Sequence, residues 1–328
     1  MAVFISIVTV IVIVIIGVVA LSNYFYKLAI YRSPKAFLAG NANSEKPSPW
    51  AKENEVNAAW LAEREQEAEE VRITTRDGLK LEATYIPSEV PSNKAAILVH
   101  GYAGSRLDML TYGRFYADKL GMNILMPDNR GHGKSEGNYI GFGWHDRLDI
   151  LEWISYILNR IGSAAEIVLH GVSMGGATVL MASGEKLPHQ VRAIISDCAY
   201  TSAEEQLAYQ LKAMYKLPSF PLLNTTALLA HKRAGYTFKE ASALRQVQHA
   251  KVPILFIHGD ADTFVPTEMV YSLYEACSSK KELLIVPMAQ HAMAVLTDRA
   301  GYFNKIRSFL AELDEVQVDG QHCDSGTS

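Results

Sequence analysis

A serine, an aspartate and a histidine occur in this chain in an order that suits nucleophilic catalysis. Each of the three, Ser173, Asp262 and His291, follows an apolar run typical of a buried strand. A serine hydroxyl is a weak nucleophile at neutral pH, but a histidine oriented by a carboxylate can accept its proton during attack. The set therefore predicts acyl transfer, with Ser173 as nucleophile, His291 as general base and then acid, and Asp262 as the orienting group.

The local sequence around the serine predicts a nucleophile elbow. The pattern Gly-x-Ser-x-Gly, with glycines at 171 and 175, follows an apolar run and precedes a helix-forming segment. Glycine is expected on both sides because the backbone must pass close to itself in such a turn. The N–H of Met174, at the start of the helix, is then placed to stabilise an oxyanion. A second apolar run, residues 95–99, leads into His-Gly-Tyr, and we expect the N–H of Tyr102 to be the other oxyanion donor.

Other polar residues near these strand ends are predicted to be structural. Asp260 lies in the same loop as Asp262, and we expect it to brace that loop. Several histidines at strand ends are expected to hold loops by hydrogen bonds: His100, His132, His170 and His258. No metal-ligand spacing joins them, so the sequence predicts neither a metal nor a cofactor.

On these motifs the chain resembles members of the α/β-hydrolase superfamily over roughly residues 69–314. The segments 128–135 (DNRGHGKS) and 258–266 match as well, and the order Ser, Asp, His is the one expected for that fold. The superfamily pattern favours Asp262 over Asp260 as the acid. The resemblance implies an α/β fold with a mostly parallel, doubly wound sheet, a triad and an oxyanion hole. It is closest to bacterial membrane-anchored esterase and acylaminopeptidase-like hydrolases. It implies no substrate, because this fold hosts many chemistries.

The chain order also predicts a hairpin and a helical cap. Residues 71–75 and 79–85 flank Arg-Asp-Gly and are expected to pair as the antiparallel edge of the sheet. Residues 201–248 are too many for a simple crossover between strands and are expected to form a small helical cap over the site. Candidate substrate-binding residues of its wall are Tyr200, Tyr209, Met214, Tyr215 and Phe220.

The N-terminus predicts a membrane anchor. Residues 2–21 are almost unbrokenly apolar, enough at about 1.5 Å per residue to span a hydrocarbon core of about 30 Å, and we expect a transmembrane helix over residues 1–24. A cleaved signal peptide is the alternative, but no Lys or Arg precedes the run. Lys27, Arg32 and Lys35 follow it, so the positive-inside rule favours a cytoplasmic catalytic domain. Interfacial aromatic residues are expected at Tyr24, Phe25, Tyr26 and Tyr31.

The remaining segments are expected to be accessory. Residues 25–68 are predicted to be a linker with a juxtamembrane helix over about 51–70, and residues 315–328 a disordered tail. The net charge of −4 gives no sign of nucleic-acid binding. The three cysteines, which are Cys198, Cys277 and Cys323, suggest neither a disulfide framework nor a zinc site. The sequence makes no prediction of oligomeric state.

Three functions fit these features. The favoured one is a serine hydrolase that cleaves carboxylic esters with apolar acyl or aryl groups, either small molecules or amphiphilic, lipid-like esters. The alternative is an acylaminopeptidase-like peptidase or a thioesterase with the same triad, in which Glu204 and Glu205 could recognise a peptide N-terminus. A catalytically silent, membrane-tethered binding protein is disfavoured by the complete Ser/Asp/His set.

Overall fold

A mixed sheet organises the chain. The computed structural model describes residues 1–35 and 49–324, without the side chains of residues 2 and 316–324. Its 8-stranded sheet has the order β1-β2-β4-β3-β5-β6-β7-β8. The strands are Glu69–Thr74 (β1), Lys80–Ile86 (β2), Lys94–Val99 (β3), Asn123–Pro127 (β4), Glu166–Val172 (β5), Val191–Asp197 (β6), Ile254–Gly259 (β7) and Lys281–Val286 (β8).

Strands β3 to β8 run parallel, and their carboxyl ends meet at one edge of the sheet. β1 and β2 form the predicted antiparallel hairpin, turning at Gly78 with φ 87°, and β2 is also antiparallel to β4. The predicted α/β class with a mostly parallel sheet is confirmed. The central strands are buried on both faces, which explains why they read as continuous apolar runs.

Helices cover both faces of the sheet. Alternate residues of β3 point to opposite faces, so Ile97 packs in one core cluster and Leu98 in the other. On the first face lie Asp146–Ile161 (α4), Met174–Ala182 (α5) and Glu268–Ala276 (α9). On the second face lie Ala51–Glu63 (α2), Leu110–Leu120 (α3), Ala294–Thr297 (α10) and Arg299–Asp324 (α11).

Between β6 and β7 the chain forms the predicted helical insertion. It contains Ala203–Tyr215 (α6), Leu222–Ala234 (α7) and the short Ala243–Gln246 (α8). Ser202 caps the N-terminus of α6, because its Oγ accepts the N–H of Glu205, and Lys216 caps the C-terminus in the left-handed region. We call α6, α7 and their connection, residues 203–234, the cap.

The N-terminal helix is longer than predicted and does not end in a free linker. Helix Ala2–Phe25 (α1) continues as a π-helical turn, Tyr26–Ile30, which we count with α1 so that the end of α1 means residues 25–30. By length and composition the run Val3–Ile30 could cross a membrane, with a mean hydropathy of 3.3 in its most apolar window. However, Tyr26 and Ile30, one turn apart, are buried in the first core cluster. Residues 25–35, expected to begin a linker, therefore pack on the domain because apolar side chains recur at helical spacing there.

The other accessory segments differ in extent from the prediction. α2 ends at Glu63, several residues earlier than expected. α11 continues to Asp324, whereas the tail was expected to be disordered from residue 315. α11 packs on the second face through Phe309 and Leu313, and it continues beyond residue 315 because the following residues contain no Pro. Residues 36–48 of the predicted linker and 325–328 of the predicted tail lie outside the described residues.

Candidate active site

Ser173 lies at the junction of β5 and α5 in a strained backbone conformation. Its φ is 58° and its ψ is −116°, a region that non-glycine residues rarely occupy. The N–H of Ser173 donates to the carbonyl of Asp197 on β6 at 2.8 Å, which helps hold the turn. A Cβ at Gly171 would overlap the Gly175 carbonyl, and a Cβ at Gly175 would overlap that of Val99. The two glycines of the motif are therefore sterically required.

The three residues that the sequence analysis grouped lie in one chain of hydrogen bonds. Ser173 Oγ is 2.8 Å from His291 Nε2, and His291 Nδ1 is 2.7 Å from Asp262 Oδ2. Each residue lies just beyond the carboxyl end of a strand: Ser173 follows β5, Asp262 follows β7 and His291 follows β8. This is the edge at which open parallel sheets bring functional groups together.

The carboxylate of Asp262 is held in its ionised form. Burial alone would raise its pKa, but hydrogen bonds from His258 and His291 and from the Val265 backbone hold the pKa well below its usual range. Oδ1 accepts the N–H groups of Phe264 and Val265 at 2.9 and 2.8 Å. A fixed, charged carboxylate at this place favours the His291 tautomer that carries its proton on Nδ1.

Asp260 is directed elsewhere. Its Oδ1 accepts the N–H of Met288 at 2.6 Å, which ties the loop after β7 to the loop after β8. The structure thus brings Asp262, and not Asp260, to His291.

Comparison with known proteins identifies the family. A family model described as alpha/beta hydrolase fold matches residues 95–249. The uncharacterized protein YqkD of Bacillus subtilis is 33% identical over 229 residues, which are 70% of this chain and 74% of YqkD. The chain belongs to the α/β-hydrolase superfamily.

Solved structures support a hydrolase. The Pyrococcus furiosus esterase Pf2001 matches with a TM-score of 0.63 and 25% identity, over 77% of this chain and 93% of the esterase. An acylaminoacyl peptidase of Pyrococcus horikoshii matches with a TM-score of 0.56 and 20% identity, over 74% of this chain and 41% of the peptidase. At that identity the second likeness shows the fold alone.

The two backbone N–H groups predicted to stabilise an oxyanion belong to residues next to the Ser173 turn. Met174 is the first residue of α5, so its N–H has no partner within the helix. Gly101, which precedes Tyr102, lies so close to Ser173 that a Cβ there would be 3.4 Å from the serine Cβ. Within the described residues, no backbone hydrogen bond occupies the N–H of Tyr102 or Met174. Both groups are available to a substrate, as an oxyanion hole requires.

One cluster in this site satisfies the distances of a metal site. The ligand atoms of Cys198, Asp262 and His291 lie within 4.8 Å of one another. Burial raises the pKa of the Cys198 thiol well above its usual value, so the thiol stays protonated and is a poor metal ligand. Asp262 and His291 are engaged with each other. We therefore interpret Cys198 as a packing neighbour of the Asp262–His291 pair.

The four strand-end histidines hold loops and neighbouring residues. His100 Nε2 accepts the N–H of Asn129 at 3.0 Å, and His132 Nε2 lies 2.7 Å from the Tyr102 carbonyl oxygen. His170 is buried between tyrosines, and burial lowers its pKa to about 3. His258 contributes to the setting of Asp262, since its Nε2 lies 3.2 Å from Oδ2.

Ser173 borders two cavities of different character. The first, which we call the apolar cavity, lies between the cap and the end of α1; its lining includes Leu28, Ala29, Leu207, Leu211, Met214 and Leu222. The second has a larger polar share, and we call it the polar cleft; polar Asn54, Asp108 and His291 line it together with apolar side chains such as Trp50 and Met109. An ester bound with its carbonyl at Ser173 would thus have different surroundings on its two sides.

The predicted wall residues divide into two groups. Tyr200, Met214 and Tyr215 line the apolar cavity as expected. Tyr209 instead donates its hydroxyl to the Thr263 carbonyl at 2.8 Å, and Phe220 is 77% exposed in the turn before α7, so neither lines the cavity. The turn projects Phe220 away from the cap interior because it lies outside both helices.

Sequence reasoning did not identify the contribution of α1. Phe25, Leu28, Ala29 and Ile30 line the apolar cavity, although they lie more than 140 residues before Ser173. The available signal was the apolar spacing of residues 25–30, which also suits the end of a membrane helix. Glu204 and Glu205 border neither cavity; Glu205 hydrogen-bonds Thr201 at the start of α6.

Proposed function

We propose that this protein is a serine hydrolase that cleaves carboxylic esters with apolar acyl or aryl groups through an acyl-serine intermediate. The observation that carries the proposal is the continuous hydrogen-bonded chain from Ser173 Oγ through His291 to Asp262. It begins at a serine on a strained elbow and ends at a carboxylate with a depressed pKa.

The reaction has two halves. His291 Nε2 takes the proton of Ser173 as Oγ attacks the ester carbonyl, and the N–H groups of Tyr102 and Met174 stabilise the oxyanion. The imidazolium, balanced by Asp262, then gives its proton to the departing alcohol. Water, activated by His291, hydrolyses the acyl-serine and releases the acid. Each oxyanion donor is expected to contribute about 3 kcal/mol.

Esters are favoured over peptides. The apolar cavity beside Ser173 suits a hydrocarbon chain or ring, and an esterase is among the similar structures. The peptidase alternative needs a polar group to bind a peptide N-terminus, but Glu204 and Glu205 lie outside both cavities. A thioesterase remains the second candidate, because the same geometry would attack a thioester.

We further propose that α1 is retained as a membrane anchor. A signal sequence is removed from the mature protein, whereas the end of this helix packs into the hydrolase domain, with Ile30 fully buried. A cytoplasmic domain remains the orientation favoured by Lys27, Arg32 and Lys35. Fusions of alkaline phosphatase and of a fluorescent protein to the C-terminus test it: phosphatase activity would contradict the cytoplasmic orientation.

The proposed activity is tested with p-nitrophenyl esters from acetate to palmitate, beside matched thioesters and anilides. We expect the wild type to prefer esters and Ser173→Ala to lose at least about 10⁴-fold in kcat. Ser155→Ala is the matched control, since Ser155 is exposed on α4 and its hydroxyl donates to the Leu151 carbonyl. Equal rates in wild type and Ser173→Ala would contradict the mechanism, and a preference for thioesters or anilides would reassign the substrate.

A further inference from the structure

The end of α1 is built into the active site and not merely tethered to it. Phe25, Leu28, Ala29 and Ile30 form one wall of the apolar cavity that reaches Ser173. The facing wall is the cap, including Leu211 of α6. Without residues 25–30 the cavity would lack one of its sides.

Hydrogen bonds fix this wall relative to the catalytic loops. The last carbonyls of a helix have no partner within it and need donors from elsewhere. The Ala29 carbonyl accepts the hydroxyl of Tyr102 at 2.6 Å, and the Ile30 carbonyl accepts the N–H of Ile140 at 2.7 Å. Lys35 Nζ donates to the Leu28 carbonyl at 2.8 Å. The same Tyr102 whose N–H is proposed as an oxyanion donor thus also holds the helix end.

The cap contacts α1 directly as well. Arg233 of α7 donates to Asn23 Oδ1 at 2.8 Å and lies over the Tyr26 ring. The Ser22 and Thr225 hydroxyls share a hydrogen bond. The rings of Phe25 and Tyr215 meet edge to face with centroids 5.0 Å apart. Helix and cap therefore enclose the apolar cavity together.

The length of the helix sets the depth of this cavity in a membrane. The apolar run Val3–Ile30 has 28 residues, whereas about 20 suffice to cross the hydrocarbon core. The last two turns, which line the cavity, then extend roughly 10 Å past the hydrocarbon into the headgroup region. Polar Asn23, Tyr24 and Lys27 begin at that level. Ester groups of membrane amphiphiles lie at the same depth.

We propose that the substrates are single-chain fatty-acyl esters of polar alcohols resident in the membrane, and that the end of α1 forms their acyl-binding wall. This rests on the proposed function. The acyl chain enters the apolar cavity and the alcohol occupies the polar cleft. Ser173 Oγ bonds the carbonyl carbon, the bond to the alcohol oxygen breaks, and the alcohol leaves with the proton from His291; water then releases the fatty acid.

Exposed apolar side chains of the cap are consistent with a cavity at the membrane interface. Met214 on α6, Phe220 on the connection and Leu228 on α7 are 43%, 77% and 69% exposed, and both cap helices contact α1. Apolar side chains beside a membrane helix are suited to the interface. This gives Phe220, which lines neither cavity, a role at the membrane surface.

The test is a matched pair of substitutions on α1 in the full chain, reconstituted in phosphatidylcholine nanodiscs. Leu28→Trp fills the cavity from the helix side, and Leu21→Trp makes the same change at a site that is 40% exposed and lines neither cavity. We expect Leu28→Trp to lower the palmitate-to-acetate ratio of kcat/KM for p-nitrophenyl esters at least about tenfold. Leu21→Trp should leave the ratio at the wild-type value.

A second variant tests the same cavity in case Leu28→Trp does not fold. Met214→Trp narrows the cavity from the cap, at a half-exposed position, and should lower the same ratio. If the wild type is active and the ratio is unchanged in Leu28→Trp and Met214→Trp, the proposed acyl-binding wall is wrong, whereas the proposed esterase activity still holds. No ester hydrolysis by the wild type would instead contradict the proposed function.

The membrane source is tested with phosphatidylcholine vesicles that contain monooleoylglycerol. We expect wild type to release oleate from the monoacyl ester faster than from the surrounding two-chain lipid, and Leu28→Trp to release it at least about tenfold more slowly. Equal release from both lipids, or release that Leu28→Trp does not alter, would overturn the proposed substrate class.

Discussion

The proposed triad and the apolar cavity are built in different ways, although they meet at Ser173. Ser173, Asp262 and His291 lie on short loops at the ends of neighbouring strands, and hydrogen bonds of 2.7–2.9 Å fix them. The cavity is assembled from the end of α1 and two cap helices, which contact one another through side chains far apart in sequence. Under the proposed function, local motifs specify the chemistry and long-range packing specifies the substrate.

If the triad is as local as this comparison implies, two aspartates of one loop should behave very differently. Asp262→Asn would let His291 adopt the wrong tautomer and should lower kcat about 10⁴-fold, as the same change does in the Ser-His-Asp template. Asp260→Asn removes the charge but keeps an oxygen that can accept the Met288 N–H, so it should cost at most a few-fold. Steady-state kinetics on p-nitrophenyl acetate measure both. Equal losses would mean that the loop, and not the Asp262–His291 pair, matters.

Asp197, a buried residue at the carboxyl end of β6, should make the stability of the protein depend on pH. Burial raises the pKa of Asp197 to about 6, whereas an unfolded aspartate titrates near 3.9. The stability that this group contributes is therefore fully present below about pH 4 and is lost as the pH rises through about 6. We expect Asp197→Asn to flatten this part of the stability curve and to be more stable at pH 7.5 by roughly 1–3 kcal/mol. Urea unfolding between about pH 4 and 7.5 measures it, and parallel curves for the two proteins would contradict it.

Tyr102 joins the two regions, so its side chain and its backbone can be separated. Tyr102→Phe keeps the backbone N–H proposed as an oxyanion donor but leaves the Ala29 carbonyl without its side-chain donor. We expect a loss of about 1–3 kcal/mol of stability, because a partly buried carbonyl loses its partner. KM for long-chain esters should rise, while kcat for acetate stays within a few-fold. A loss of kcat of the size caused by Ser173→Ala would show that the hydroxyl takes part in the chemistry.

The smallest effects on chain-length preference are expected at the two predicted wall residues that do not line the cavity. Tyr209→Phe and Phe220→Ala should change the chain-length preference for soluble p-nitrophenyl esters by less than about twofold. Tyr215→Ala, which opens the cavity and removes the contact with Phe25, provides the positive comparison. A change at Phe220 as large as that at Tyr215 would mean that the cap closes differently on substrate.

The sequence was informative where function depends on neighbouring residues. Gly171 and Gly175 are needed for a turn of fixed shape, so the elbow, its strand and its helix could be predicted together. The choice of Asp262 over Asp260 also followed from the family pattern. The geometry agrees with it, since only Asp262 reaches His291.

The cavity walls could not be predicted in the same way. Residues 25–30 have the composition of a membrane-helix end, and nothing local indicates that Tyr102 and Ile140 bind their carbonyls. The length of residues 201–248 predicted a helical cap but not which helix faces turn to Ser173, so Tyr209 was named as a wall residue and Leu211 was not. Contacts between distant segments leave little trace in a single sequence.

The central claim is that Ser173 is the activated nucleophile of an Asp262–His291 pair. The most direct measurement is the mass-spectrometric site of a fluorophosphonate adduct on the full chain, with labelling rates for wild type and His291→Ala. We predict one adduct, on Ser173, formed at least about 10³-fold more slowly without the histidine. An adduct on another residue, or a rate that His291→Ala leaves unchanged, would contradict the account.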